Sequence, residues 1–487
     1  MNRIISWRTA AAAALLLIVS AGHADETRFE VKFSRNVPWR GGRVTIDHRF
    51  GDVVLVTEPG THVSVRATIR ASDPDFGQQI RITANEEGDG VSIQTHYPEK
   101  HIRISGSSSF SVDYRITVPP NAPVTLKNRF GKIDATGLRA SSELINAQGS
   151  VTMRDTKGAQ TVENQFGSID VTDNDGDLTV RNSNGSVTAR EIGGNLNASN
   201  RFGSVEVRNV AKNATIRNSN GSVDVRDVNG SVSVVNSFAT VVAANIKGSA
   251  DITNGNGRVE VHDVNGNATL KTTFGTVSAR NVNGNLTATG QNSRVEAQTV
   301  RGMGNVSTTF GSVEIRDVNG ALKVTSSNGS ITVAGVGGDF TADTRFGSVK
   351  AEKIGGSADV DNANGSVTLT GVGRDARVRT SFGSAFVREV GGAVDIQNQN
   401  GAISVAGLAP SSCKPISLRT SFSSIKLALP SSASYTVAAR TSFGRINTAF
   451  PITTSTISDE NLVGSIGSGS CRLELVNSNG NITIDKE

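Results

Sequence analysis

Large side chains are scarce in this sequence. Of its 487 residues two are Trp and three Tyr, and aromatics amount to 5%. That is too little to fill a thick globular core, so the apolar content has to come from many small β-branched residues in a thin, repeated core. Cysteine is nearly absent: Cys413 and Cys471 allow one disulfide in an oxidising compartment and exclude a disulfide-dense scaffold. Beyond the first twenty residues no apolar run is long enough to span a membrane. A strong charge bias is missing too. The formal net charge is +5 at pH 7, less once Arg3 and Arg8 leave with a leader, and too mild to imply a nucleic-acid partner.

The leader is read from Arg3 and Arg8, the apolar run that follows, and Gly22-His23-Ala24 before Asp25. A basic start, a short apolar stretch and a small-residue cleavage site make a secretory signal over residues 1–24. The mature chain is expected to be exported, to the periplasm, the cell surface or the medium. No Cys stands directly after the leader, which argues against a lipid anchor.

What the sequence has in abundance is glycine, 52 residues of it, and a period. Phe stands at 130, 166, 202, 238, 274, 310, 346 and 382, and midway between most of these stand Asn184, Asn220, Asn256, Asn292, Asn328 and Asn364. The step is therefore 18 residues with a 36-residue alternation, and a period this strict marks a repeat architecture. Gly follows in nearly every copy, with Ala239 and Ser293 the exceptions. Counting that Gly as position 0, apolar residues fall at positions 2, 4 and 7 (Val205, Val207, Val210) and at 11 and 13 (Ala214, Ile216). Alternation in Val- and Ile-rich runs is a strand signal, so each unit holds two short strands separated by Gly-rich turns.

One unit cannot bury its apolar face alone, but stacked units can. The expected fold is all-β, a β-solenoid of about 18-residue coils; roughly fifteen coils at ~4.8 Å each give a rod on the order of 70 Å. A 36-residue coil is the rival. Against it, Phe422 and Phe443 follow one another only 21 residues apart. The Asn at position 15 (Asn182, Asn200, Asn218, Asn236) and the Phe or Asn at position 17 continue the inward parity, so both are expected to point into the core or line its corner. Residues 25–127, less regular, read as an N-terminal β-domain or cap, 128–409 as the array, and 410–487 as modified C-terminal repeats and cap, with Cys413 and Cys471 bridged.

Chemistry is hard to find. "HYPEKH" at His96–His101 matches no usual metal spacing and reads as a solvated loop. Asp173, Asp175 and Asp177 around Gly176 resemble the start of a calcium loop, but Asn184 stands where the bidentate Glu belongs, and a polar turn also accounts for them. Neither a nucleophile elbow nor clustered carboxylates breaking the repeat is visible, so no catalytic, metal or cofactor residue is assigned. One outward feature recurs: Arg at position 5, in Arg154, Arg190, Arg208, Arg226, Arg280, Arg316 and Arg388. It is the candidate face for an anionic ligand, unless the acids at position 3 (Glu206, Asp224, Glu260, Glu314) and position 6 (Asp155, Asp227, Asp263, Asp317) simply pair with it.

Units such as "NSNGSVDVRDVNGSVSVVNSFATV" and the lead-in "YRITVPPNAPVTLKNRFG" resemble a bacterial exported β-strand-repeat family of unknown function, labelled adhesin, over roughly residues 110–487. The resemblance implies fold and export and supplies no catalytic residues. The reading that follows is an exported, non-enzymatic cell-envelope protein for adhesion or scaffolding, its partner an envelope or extracellular polysaccharide or an envelope protein. The alternatives are a periplasmic envelope-stress or regulatory partner and a carbohydrate-active β-helix enzyme.

Overall fold

The computed structural model describes residues 29–98, 109–409 and 413–487; the leader expected at residues 1–24 lies outside them. Parallel pairing sets the coil. Val187 lies opposite Val205 and Val205 opposite Val223, while Leu196 lies opposite Ala214 and Ala214 opposite Val232. Each partner is one 18-residue unit further on, so the coil is the unit and the 36-residue rhythm is an alternation of side chains. The chain is a β-solenoid of about 17 turns. In each coil a first strand such as Val205–Val210 and a second such as Ala214–Asn220 belong to two parallel ladders whose inner faces share one core.

The apolar spacing 2, 4, 7 breaks strict alternation, and the backbone shows why. The residue at position 6 takes a left-handed conformation in coil after coil, at φ 59° in Asp173, 56° in Asn209, 60° in Asp227 and 57° in Asn245. One such residue shifts the parity of the strand by one, so Val210 turns inward although Val207 is only three residues before it. Asp and Asn tolerate this conformation better than other non-glycine residues, which is why they recur at that position.

The Gly corner depends on close approach. Gly203 has φ +117°, and a Cβ built on it would collide with the carbonyl oxygen of Gly185 one coil earlier. Of the two exceptions, Ala239 keeps the positive φ, at 79°, whereas at Ser293 the strand Leu286–Val300 runs through the corner unbroken. Behind the corner lies the buried column at position 15. Asn200 Nδ2 donates to the carbonyls of Gly185 and Gly203, each at 3.1 Å. Asn182 bridges Gly167 and Gly185, and Asn218 bridges Gly203 and Gly221. The carbonyls of Gly185 and Gly203 thus each receive two amides, and a hydrogen-bonded thread runs through these coils. The Oδ1 atoms of these Asn have no hydrogen-bond partner among the described residues. In other coils Thr272, Thr308 and Thr344 fill the column.

The expected inward role holds for this Asn column and fails for Phe. Phe166, Phe202, Phe238 and Phe274 are 43% to 53% exposed. By position 17 the backbone has begun its turn, so parity carried over from position 15 no longer points to the core, and the ring stands on the outer side of the corner.

Both ends depart from chain order. The strand Cys471–Asn479 lies between Ile416–Phe422 and Tyr435–Arg440, and Ile482–Lys486 lies between Ile425–Leu429 and Ile446–Thr448. Phe422 and Phe443 are therefore not stacked neighbours: Asn479 sits between them. Their close spacing in the chain does not count against a 36-residue coil; the strand register decides for 18. At the other end Val44–Asp47 sits between Val124–Phe130 and Gly90–His96. Antiparallel strands then cover the stack: Arg81–Glu87 and His62–Ala71 at the N-terminal end, Asn461–Ile466 at the C-terminal end. Reversing direction there closes parallel edges that would otherwise template further chains.

Cys413 and Cys471 are joined, with Cα atoms 5.5 Å apart, across 58 residues. The bond ties the start of the inserted strand to the segment entering Ile416–Phe422. Replacing both by Ser should lower the unfolding free energy of the C-terminal end by about 4 kcal/mol, the chain-entropy value for a loop of this length, read by denaturant titration with and without reductant. In the array, Asn200→Asp should cost about 3–5 kcal/mol at neutral pH, because a buried carboxylate would face two carbonyl oxygens without a donor. Asn200→Thr, which copies other coils, should cost about 1 kcal/mol or less; equal losses in thermal unfolding would contradict the bridging role.

Candidate functional surface

The position 5 residues form one column on the outer face of the first ladder. Arg190, Arg208 and Arg226 lie opposite one another in successive coils. Arg154 is separated from Arg190 by Thr172, and Arg280 from Arg316 by Gln298. Arg388 continues the column after Thr370. The register brings the predicted residues into line, and their neighbours occupy them. Arg190 and Arg208 both reach Glu206, at 3.1 and 3.3 Å, and Arg208 and Arg226 both reach Asp224, at 2.9 and 2.8 Å. Arg316 pairs with Glu314 at 2.7 Å, and Arg154 lies 4.0 Å from Asp134. Arg280 and Arg388 make no ion pair among the described residues. The hydrogen bond from Arg190, then that from Arg208, holds Glu206 below the usual carboxylate range.

Of the position 6 acids, Asp263 meets His262 of the position 5 column at 2.8 Å, but none pairs with an Arg of that column among the described residues. They line the next column: Asn245 donates to Asp227 and Asn281 to Asp263, each at 2.8 Å, and Arg139 reaches Asp155 at 2.7 Å. Beside them runs an open groove of about 650 Å³, lined by Asp155, Asp173, Asp175, Glu191 and Asp227 with Arg139 and Lys157 at one end. Periodicity hid this groove, because an acid at position 6 looks the same in sequence whether it faces Arg or turns the chain.

Asp173, Asp175 and Asp177 do not converge. Asp173 is the left-handed residue of its coil, Asp175 pairs with Lys157 at 3.2 Å, and Asp177 Oδ1 accepts the backbone N–H of Asn195 at 2.7 Å. That backbone bond is the main reason its pKa is lowered. Among the described residues no group of three or more His, Cys, Asp or Glu side chains comes together as metal ligands would. His96 contacts Thr83 at 3.2 Å; Glu99 and His101 lie outside the described residues.

His48, which sequence reasoning passed over, ends the buried Asn column at the N-terminal cap. Its Nδ1 is 3.0 Å from Thr95 Oγ1, which is 2.7 Å from the Tyr114 hydroxyl. Burial lowers its pKa from 6.5 to about 4. The unfolded chain then binds the extra proton first as pH falls, so the cap should lose stability from about pH 6.5 down to 4, by up to about 3 kcal/mol. His48→Asn should flatten that part of the pH profile; an unchanged profile would assign the loss to other groups.

Fold and surface together define a capped parallel β-solenoid presenting ordered columns of side chains. Residues 251–485, just under half of the chain, match the model of the Toastrack DUF4097 family, a bacterial family of unknown function, and the resemblance drawn from the repeat units is borne out over that span. No curated protein matches the chain. Among solved structures it is similar to a "putative cell adhesion protein" from Clostridium sporogenes, at 12% identity over 43% of this chain and 100% of the other, TM-score 0.25. It is also similar to a "putative lipid binding protein" from Parabacteroides distasonis, at 11% identity over 68% of this chain and 96% of the other, TM-score 0.15. At such TM-scores neither likeness carries an argument. No helix of the described residues is long and apolar enough to cross a membrane.

Proposed function

We propose that the protein is an exported, non-enzymatic rod of the cell envelope that binds or scaffolds through contacts repeated along its length. The observation that carries this reading is the register: side chains of one kind recur on a fixed frame, with Arg190, Arg208 and Arg226 in three successive coils and Arg280 and Arg316 two coils apart. Such a frame suits an extended ligand, because each contact after the first is intramolecular and weak contacts add up to avidity. The disulfide supports export, since such bonds persist in oxidising compartments.

The surface we assign to the ligand is the Arg column, and the ligand class an anionic envelope or extracellular polysaccharide. The acids between the guanidiniums reduce what each coil offers. Binding therefore relies on length, and the ligand has to displace exposed ion pairs that are worth little in water. The mature chain should bind anionic polysaccharides at low salt and release them at high salt, with Arg190→Ala, Arg208→Ala and Arg226→Ala together weakening binding about tenfold or more. Absence of binding at low salt, or an unaffected triple variant, would remove the Arg column as the binding face.

A further inference from the structure

The Gly corner that leads into the charged strand carries a second periodic feature, which the proposed binding role does not use. From Phe166 to Phe382 a Phe ring stands on the outside of every second coil, in register with an Asn on each coil between. The exposed rings run from 43% to 56% accessible. The flanking columns, at positions 16 and 1, are Ser, Thr, Gln, Gly and Ala with four Arg and no acid between Gln165 and Ser384. A row of half-exposed aromatics at every second coil, flanked by small polar residues and a few Arg, is not an ordinary solvated edge.

The orientation of the rings limits what can cover them. Phe50 and Phe130 occupy this column on adjacent coils, and their rings stack with centroids 5.1 Å apart and planes 1° from parallel. The faces of these two rings therefore look along the rod axis, and the rings stand out like fins. Phe202 repeats the arrangement: Arg201 lies over its face at 5.3 Å, as Arg129 lies over Phe130 at 5.5 Å. Between Phe202 and Phe238 one coil intervenes, leaving a slot of roughly 9.6 Å from face to face. Its floor is Asn220, whose Nδ2 folds back to the Arg201 carbonyl at 3.5 Å. A further ring inserted midway would lie roughly 4.8 Å from each wall, within the range of stacked aromatic pairs.

We infer that this row is the interface of a homodimer in which two antiparallel rods interdigitate their Phe fins. A second copy is the one partner whose fins share the slot spacing over the whole row by construction. A two-fold axis makes the row self-complementary, each Phe of one rod seated above an Asn of the other. Area agrees: seven half-exposed rings offer on the order of 100 Å² each, which with the Ser and Asn rims approaches the ~800 Å² per partner of a stable interface. Fins seen edge-on offer no flat platform for a sugar ring, so a glycan is the poorer fit. The Arg column remains free on each rod.

Sedimentation velocity on the mature chain at micromolar concentration should show twice the chain mass. Phe202→Asn, Phe238→Asn, Phe274→Asn and Phe310→Asn together copy the residue already present on intervening coils, so the fold should persist by circular dichroism. They should weaken dimerisation at least ~100-fold, and the triple Arg→Ala variant should remain dimeric. As a check that does not depend on the variant folding, the wild-type chain labelled with fluorophenylalanine should show corner resonances that shift on dilution while buried Phe340 does not. A wild-type monomer up to ~100 µM, a dimer unchanged in the quadruple variant, or dilution-insensitive corner resonances would each overturn the inference. So would a monomer that uses the same Phe row to bind phosphatidylcholine vesicles or a neutral glucan. Failure of polysaccharide binding alone would leave the dimer standing, and the reverse.

Discussion

The rod depends on its close-packed glycine corner, where in the coils around Asn200 the amide of one side chain ties two glycine carbonyls in successive coils. The strands alone would stack, but strands in a flattened coil must turn, and the turn brings backbone against backbone at Gly185 and Gly203 with no room for a side chain. Carbonyls so placed, away from water, need donors. Asn182, Asn200 and Asn218 supply them from inside, each reaching backward and forward, so that a defect in one coil is felt by its neighbours. In return the cost is a row of amide oxygens without partners, tolerated because the donors they accompany satisfy two corners at once.

A stack held this way has no intrinsic end. The chain solves that at both termini by leaving sequential order. Residues 471–486 are inserted beneath the coil that precedes them in sequence, and antiparallel strands lie over the last parallel edge. At the N-terminal end the strand His62–Ala71 covers Phe110–Val118 in the same manner. The disulfide falls at the entry to the inserted strand, the segment whose docking closes the longest loop of that end and costs most chain entropy.

The two outer surfaces differ in kind. On the first ladder, cations and anions neutralise one another within hydrogen-bonding distance, which keeps the face soluble and leaves any grip on a ligand to length. At the Phe corner the flanking columns carry no acid and four Arg, two of which reach acids of the neighbouring face, and the rings stand half in water with slots between them. Desolvating the aromatic rings costs little, whereas desolvating the dense paired charges of the first ladder costs a good deal, so the corner is the surface better suited to close contact and the charged face to reversible contact.

The 18-residue period, the strand pairs, the inward columns and the Gly corner were legible in the sequence, because each coil repeats the same local problem and writes the same residues to solve it. Cys413 and Cys471 were legible as a pair for the simpler reason that there are two. Parity failed where the backbone ceased to be extended. The left-handed residue at position 6 and the outward turn at Phe202 both reset which face a side chain takes, and neither is visible to a rule that counts by twos. Which acid each Arg meets was open as well, since positions 3 and 6 are equally near in sequence and only the bend at position 6 separates them. The placing of Asn479 between Phe422 and Phe443 lay furthest from sequence: local chemistry specifies what a coil is, but the order of coils is decided by which edges remain open when the last strand arrives.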